Sequence, residues 1–341
     1  MIDVIFTIDY EIYGNGTGNL NELVFEPTRN LQSIFKKYNC KFVAFIEAVE
    51  LSKISEYRTD DYIGFVEEQV RELYGVGHEI GLHIHPQWSR AEFKDGYWSL
   101  HYDEYNLCRL QETRISTIIK ESIEYLRSVL DNDYFNPLSF RAGNWLFQPT
   151  DIISKILSRN GVIIDSSVYK GGTQHKHRLD YRKAVKNSYW WSFENDVVIP
   201  ADDGIMMELP IYTRMVPFWK MVSAKRFNFQ KKSQAYRKTK LTDRLDRLID
   251  TIKIFYPLKL DFCRMTIDEL IQMINIVIAD DKKSPYIYKP IVAIGHTKDL
   301  EDFNTIMTFL DYIQNNNIDV STLKEAYNKC KKEIRDGASL K

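Results

Sequence analysis

Short apolar runs alternate along this chain with longer segments whose apolar residues recur at helical spacing. The apolar runs predict strands near residues 2–8, 41–46, 78–85, 138–142, 162–165, 205–208 and 291–295. Helices are expected in the intervals, because Pro27 marks one start and two pairs, Thr266 with Glu269 and Thr322 with Glu325, have capping-box spacing. Strands that alternate with helices favour a parallel α/β barrel.

No internal repeat, low-complexity tract or linker interrupts this pattern, so residues 1–341 are expected to form a single domain with two insertions. The insertion near residues 86–105 is rich in aromatic residues and is a candidate lid. The insertion near residues 214–262 interleaves basic and aromatic residues, as at Trp219 and Lys220. Such a patch can bind the phosphates of a nucleotide- or lipid-linked sugar, even at an anionic membrane surface, although a solvated helix face is the simpler interpretation.

The composition is that of a globular protein of enzyme size, with 341 residues, 44% hydrophobic, 27% charged and a formal net charge of −1. Near-neutral charge without a nucleic-acid-binding motif argues against a nucleic acid polymer as partner. The four cysteines form no CxxC pair, which indicates reduced thiols and a cytoplasmic location. The N-terminus reads directly as a strand, and no apolar run reaches the roughly 20 residues of a membrane span, so no signal peptide or transmembrane segment is expected.

Paired polar residues close two of the apolar runs. In GHEIGLHIHPQW, His83 and His85 lie two positions apart, so on a strand both imidazoles point to one face and can share a metal ion. In FTIDYEIY, Asp9 and Glu11 have the same spacing. Each residue alone has a simple structural explanation, such as a turn cap or a backbone hydrogen bond.

Recurrence favours a common site. Single polar residues close four further apolar runs, namely Arg141 in LSFRAGNW, Asp165 in GVIIDSS, Glu208 in GIMMELP and His296 in IVAIGHTKD. Because the carboxyl ends of parallel strands line the ligand site in α/β folds, these side chains are expected to converge.

In this order the motifs resemble those of the NodB-type polysaccharide deacetylases, carbohydrate esterase family four. The resemblance implies a distorted (β/α) barrel of about seven parallel strands, with helical and loop insertions. It also implies metal-dependent removal of N- or O-acetyl groups from carbohydrates. On the family pattern Asp9 is the general base, Arg141 pairs with Asp9, and His296 donates a proton to the leaving group.

Further roles follow from the same resemblance. Glu11, His83 and His85 would bind one divalent transition metal. Zn²⁺ is the metal expected, and Co²⁺, Ni²⁺, Mn²⁺ or Fe²⁺ are the alternatives. Asp165 would orient His296, but a turn cap formed with the serines after it is an equal alternative. Asn144, Trp145 and Glu208 would contact the sugar, although Trp145 can be core and Glu208 can instead bind a backbone amide.

Two positions depart from the common family pattern. Tyr10 stands where many members have a second aspartate, and Gln87 stands where the second histidine usually lies four residues after the first. From the resemblance we expect a deacetylase of an N-acetylated sugar in cell-surface polysaccharide or lipopolysaccharide biosynthesis. One alternative is a hydrolase of another C–N bond, in a formamide or cyclic ureide. The departures at Tyr10 and Gln87 motivate the other alternative, a catalytically degraded barrel that binds sugar or a partner.

Overall fold

The computed structural model describes residues 1–217, 219 and 255–335. Its strands, in chain order, are β1 (Ile2–Tyr10), β2 (Val43–Glu47), β3 (Glu79–Ile84), β4 (Glu92–Lys94), β5 (Tyr97–Ser99), β6 (Ser139–Ala142), β7 (Ile164–Asp165), β8 (Thr173–Gln174), β9 (Leu179–Asp180), β10 (Trp191–Phe193), β11 (Met206–Glu208), β12 (Thr213–Pro217), β13 (Phe255–Lys259), β14 (Lys289–His296) and β15 (Asp319–Val320). All seven predicted strands are present, as β1, β2, β3, β6, β7, β11 and β14.

The α-helices lie between these strands, as predicted. They are α1 (Glu26–Lys37), α2 (Ala48–Tyr57), α3 (Ile63–Gly75), α4 (Glu112–Leu130), α5 (Asp151–Arg159), α6 (Ile267–Lys283), α7 (Phe303–Asn315) and α8 (Leu323–Arg335). Pro27 lies in the first turn of α1. Thr266 and Glu269 form the capping box of α6, with the Glu269 carboxylate 3.0 Å from the Thr266 amide nitrogen that donates to it. A capping box satisfies amide groups of its own helix start, so the sequence alone located the start of this helix.

The main sheet is curled and mostly parallel, and it forms a half-barrel. Its nine strands run in the order β10, β11, β7, β6, β3, β2, β1 and β14, with β15 paired to β1. Among the strands that the structure describes, only β10 joins this sheet antiparallel, at its edge. Ile211 makes parallel bridges to both Tyr169 and Val292, so a single residue links the far side of the sheet to β14. This arrangement confirms the predicted α/β class.

The central strands are buried on both faces, which is the usual state of a parallel sheet covered by helices. Every residue of β14 is buried, and so is every residue of β1 except its first. The polar side chains at the carboxyl ends of these strands therefore lie in a protected environment. That environment strengthens their electrostatic interactions.

The first predicted insertion contains the hairpin of β4 and β5. Its Trp98 packs on the fully buried Trp88, with ring centroids 5.0 Å apart, and on Tyr57 of α2 at 5.6 Å. The second insertion begins and ends with the antiparallel pair β12 and β13. The predicted basic patch between them lies outside the described residues. Within residues 1–217, 219 and 255–335, no helix has the length and apolar character needed to cross a membrane.

Candidate metal centre and active site

Strand register brings the first candidate residues together. In the pairing of β1 with β14, Asp9 lies beside His296, and in the pairing of β3 with β6, His83 lies beside Arg141. Tyr10 points to the opposite face, where its hydroxyl donates to Gln69 Oε1 at 2.7 Å. Tyr10 is therefore a core residue on the face of β1 opposite to Asp9, and its side chain takes no part in the candidate site.

Glu11, His83 and His85 form a buried cluster whose potential ligand atoms all lie within 4.8 Å of one another. Glu11 Oε2 is 2.9 Å from His85 Nε2 and 3.6 Å from His83 Nε2. Two of these facing atoms, Glu11 Oε2 and His83 Nε2, are buried without a hydrogen-bond partner among the described residues. Buried polar atoms normally have partners, and a cation bound between these would satisfy them. The three residues therefore fit a divalent metal ion.

A second group with metal-binding geometry shares a ligand with the first. Asp9, Glu11 and His296 also offer atoms within 4.8 Å of one another. Asp9 is already engaged by Arg141 at 2.7 Å, whereas no cationic side chain among the described residues bonds the ring nitrogens of His83 or His85. The first group is thus the better candidate for the metal.

Contacts on the far ring nitrogens fix the two histidines. His83 Nδ1 lies 2.7 Å from the carbonyl oxygen of Arg141, so it carries the proton and leaves Nε2 free to bind a metal. His85 Nδ1 lies 3.2 Å from both the Gln87 and the Asn144 side-chain nitrogens. Gln87 Oε1 is buried without a partner, and rotating that amide would present Oε1 as an acceptor for Nδ1. Gln87 thus contacts a candidate ligand.

Glycine is required beside His85. A Cβ at Gly143 would lie 2.5 Å from the carbonyl oxygen of Ile84 and 2.9 Å from His85 Nδ1. The next two residues, Asn144 and Trp145, both have positive φ, 54° and 59°. Positive φ is uncommon for residues other than glycine, and such strain is concentrated at functional sites. This turn places Asn144 on His85, and the Trp145 ring lies 6.1 Å from that of His296.

Two buried glutamates, Glu47 at the end of β2 and Glu50 in the first turn of α2, hold the backbone around the cluster, and sequence analysis missed them. Glu47 Oε1 accepts a hydrogen bond from the His85 amide at 2.6 Å, and Glu50 Oε1 accepts one from the Ile12 amide at 2.8 Å. Burial raises the pKa of Glu50 to about 8, and the nearby Glu11 adds to the shift. Burial and Glu50 likewise raise the pKa of Glu47 well above its ordinary range. Because their pKa values are raised, Glu47 and Glu50 hold their protons at neutral pH and add little negative charge beside Glu11.

Lys298 is a second residue that sequence analysis missed. Its Nζ donates to Glu11 Oε1 at 2.6 Å and to the carbonyl oxygen of Ile12 at 3.0 Å. Although burial by itself raises the pKa of Glu11, Lys298 and the two histidines hold it well below its ordinary value. Glu11 is therefore ionised, with one oxygen bound to Lys298 and the other facing the histidines.

Asp9 and Arg141 form a buried ion pair, as predicted. Arg141 Nη1 donates to Asp9 Oδ1 at 2.7 Å, Nη2 donates to Thr7 Oγ1 at 2.9 Å, and the guanidinium lies 4.2 Å from the centroid of the Phe45 ring. Burial raises the pKa of Asp9, but Arg141 and the neighbouring histidines outweigh it and lower that pKa. Asp9 is therefore a carboxylate at neutral pH.

The carboxylate that accompanies His296 is not the predicted one. Asp299 Oδ2 lies 3.5 Å from His296 Nδ1 and is held by Arg264, whose Nε donates to it at 2.8 Å. Asp165 instead accepts hydrogen bonds from the amide and hydroxyl of Ser167, at 3.0 and 2.8 Å. The expectation that Asp165 orients His296 is therefore wrong, and the alternative of a turn cap holds. The spacing from His296 to Asp299 was the signal available in the sequence.

His296 also faces Asp9, with Nε2 3.4 Å from Oδ2. Burial lowers the pKa of His296, and this effect outweighs the raising effects of Asp9 and Asp299. His296 is thus mainly neutral in the resting protein.

Glu208 contacts a backbone amide outside the candidate metal groups. Its side chain is fully buried, and Oε1 accepts a hydrogen bond from the Val168 amide at 3.1 Å. Burial and the adjacent Asp165 raise its pKa well above its ordinary value. This is the backbone amide contact that sequence analysis gave as the alternative, and the sugar contact stays a prediction.

No protein-family model matches the sequence, and no curated protein matches it. Among solved structures, a Mycobacterium smegmatis protein assigned as a polysaccharide deacetylase superposes with a TM-score of 0.53 at 14% identity, over 99% of this chain and 92% of that chain. A Pseudomonas aeruginosa PAO1 protein with the same assignment gives 0.51 at 12% identity, over 95% and 89%. These likenesses establish the NodB-type polysaccharide deacetylase fold that the motifs predicted.

Proposed function

We propose that this chain, with its polysaccharide deacetylase fold, is a metal-dependent hydrolase that removes the acetyl group from an N-acetylated sugar. The observation that carries the proposal is the buried cluster of Glu11, His83 and His85, in which Glu11 Oε2 and His83 Nε2 make no hydrogen bond among the described residues. Two imidazoles and a carboxylate suit Zn²⁺, and they also accept Co²⁺, Ni²⁺, Mn²⁺ or Fe²⁺.

The residues beside the cluster have the properties that amide hydrolysis needs. A bound divalent cation would supply Lewis acidity for the amide carbonyl and the attacking water. Asp9, kept ionised and oriented by Arg141, takes a proton as the water oxygen bonds to the carbonyl carbon. His296, 3.4 Å from Asp9, receives this proton and delivers it to the sugar nitrogen as the C–N bond breaks. The products are acetate and an amine.

Two further parts of the proposal concern the substrate. Trp145 and Asn144 lie beside His296 and His85 respectively, where a sugar bound for this reaction would contact them. The proposed substrate is a cytoplasmic precursor of a cell-surface polysaccharide or lipopolysaccharide, with a nucleotide- or lipid-linked form included.

One contact favours the alternative of a sugar-binding barrel without catalysis. Lys298 already neutralises Glu11 at 2.6 Å, as a cation would. In a degraded site, this lysine would replace the metal ion. Metal content separates the two functions, because the binding barrel needs no transition metal.

The test is metal content per chain, measured by plasma mass spectrometry on protein purified without chelator or histidine tag, together with acetate release from N-acetylated sugars. We expect about one equivalent of metal in the wild type, and its loss in Glu11→Ala, His83→Ala and His85→Ala. Asp9→Asn should keep the metal and lose turnover, because Asp9 acts on the proton.

His78→Ala is the matched control. His78 is also buried near β3, but its Nδ1 accepts from the Phe42 amide at 3.1 Å and it belongs to neither metal-binding group. This variant should keep its metal. Protein that stays metal-free after incubation with Zn²⁺ or Co²⁺ would refute the hydrolase and favour the binding barrel.

A further inference from the structure

A lysine that sequence analysis did not select lies in the wall of the proposed site. Lys259 ends β13, and the residues directly after it pair with the end of β14, where Asp261 bridges to Ile294 and the Phe262 amide donates to the Ile294 carbonyl at 3.0 Å. His296 follows two residues later on β14. The backbone thus delivers Lys259 to the strand end that carries the proposed proton donor.

The Lys259 ammonium lies against the aromatic residues of the site. Its Nζ is 3.1 Å from the centroid of the Trp145 ring and 4.8 Å from that of the Tyr169 ring. The Trp145 ring is in turn 6.1 Å from the His296 ring, edge to face. The ammonium therefore covers one face of the indole that borders His296, the group proposed to protonate the leaving nitrogen.

Lys259 is partly buried, and among the described residues its charge has no counter-ion, unlike that of Lys298 and Lys289. Lys298 and Lys289 bond carboxylates at 2.6 and 3.0 Å. For Lys259 Nζ, the part of the chain that the structure describes offers no carboxylate within ion-pair distance and no hydrogen-bond acceptor. Burial lowers the pKa of Lys259 to about 7, and Asp261 raises it only in part. A partly buried cation without a partner carries a desolvation cost, which an anion supplied by a ligand would offset.

A second donor in the same wall is also unsatisfied. Trp145 Nε1 is buried and has no acceptor among the described residues. Buried indole N–H groups usually have a partner. The Trp145 indole N–H and the Lys259 ammonium over the same ring are both hydrogen-bond donors that need an acceptor. The oxygen atoms of one anionic group would offer several acceptors.

We propose that Lys259 and the indole N–H of Trp145 bind an anionic group of the substrate, so that the preferred sugar carries a phosphate or a carboxylate near its acetamide. This inference rests on the proposed function, because it assigns the substrate class of the same site. An acidic sugar fits the donors better than a neutral one, whose hydroxyl groups would leave the ammonium without a counter-charge.

The experiment compares three probes by calorimetry on the metal-loaded full chain. N-acetylglucosamine is neutral, N-acetylglucosamine 6-phosphate supplies a phosphate, and N-acetylmuramic acid supplies a carboxylate. We expect the wild type to bind at least one charged probe tighter than the neutral one by about tenfold to a hundredfold, the range for a hydrogen bond to a charged group. The probe that gains shows which anion is recognised.

Variants assign the preference to Lys259. Lys259→Met should abolish the preference, whereas Lys259→Arg should retain it. Lys53→Met is the matched control, since Lys53 lies over the Tyr57 ring at 6.0 Å but is paired with Glu56 on α2. That variant should keep the preference. Unchanged melting temperature and metal content would show that Lys259→Met is folded.

The outcomes separate the two proposals. Equal binding of charged and neutral probes by the wild type, a preference that survives in Lys259→Met, or no binding of any probe would each overturn the anionic subsite. Acetate release from the neutral sugar without a charge preference would overturn the subsite alone. A Lys259-dependent preference without acetate release from any probe would support the subsite and overturn the deacetylase.

Discussion

Replacing Arg141 by methionine should destabilise the fold far more than the loss of an ordinary surface arginine. The guanidinium is fully buried and bonds Asp9, Thr7 and Ser166. Methionine fills much of the volume but supplies no donor, so the Asp9 carboxylate stays buried without its partner. The backbone carbonyl at position 141 that fixes His83 remains in place, so metal content should be retained.

Breaking a buried ion pair by removing one partner costs about 3–5 kcal/mol. With an unfolding entropy of about 2.1 cal/mol/K per residue and 341 residues, this cost lowers the melting temperature by roughly 4–7 °C. Because the two groups bond directly, Arg141→Met and Asp9→Asn together should cost less than the sum of the two single changes, by about 2 kcal/mol.

The assay is calorimetry with urea unfolding on metal-free protein, for both single variants and the double variant. Arg182→Met is the matched control, because Arg182 bonds Asp180 at the same 2.7 Å but is 67% exposed. Its cost should stay below about 1 kcal/mol. The folded pKa of Asp9 is lowered, so the pair stabilises the fold at neutral pH, and the difference between wild type and Arg141→Met should shrink as pH falls below about 4. A cost equal to that of Arg182→Met, or full additivity with Asp9→Asn, would refute the reasoning.

Gln87→Ala should weaken Zn²⁺ binding by about 10–100-fold without abolishing it, because His85 loses one of its two Nδ1 contacts. Competition against a chromogenic chelator measures this, and an unchanged affinity would mean that Asn144 suffices. Glu50→Gln should flatten the pH dependence of stability in metal-free protein. The folded chain holds the Glu50 proton up to a pKa of about 8 whereas the ordinary value is 4.5, so wild-type stability falls as pH rises through this window, by up to about 1.4 kcal/mol per pH unit. Glutamine keeps the Oε1 that accepts from Ile12, and an equal slope in urea midpoints would contradict the assignment.

The errors of sequence analysis share one origin. Asp165 and Glu208 do end buried strands, as predicted, but the register pairs Asp165 with Phe140, one residue before Arg141, and pairs Glu208 with Asp165. Their side chains bond Ser167 and the Val168 amide. A pattern of apolar and polar residues shows that a side chain ends a strand. It does not show how deep that strand end lies in a curled sheet, so Asp299 was passed over for Asp165.

By itself, the sequence determined the seven parallel strands, the helix starts and the paired faces of Asp9 with Glu11 and His83 with His85, because alternation and capping are local properties of the backbone. Only the tertiary structure decided what surrounds them. Lys298 on Glu11, Asp299 beside His296 and Lys259 over Trp145 are contacts set by strand order, register and depth. These depend on the packing of segments that are distant in sequence, and so do the charge and protonation of every residue in the site.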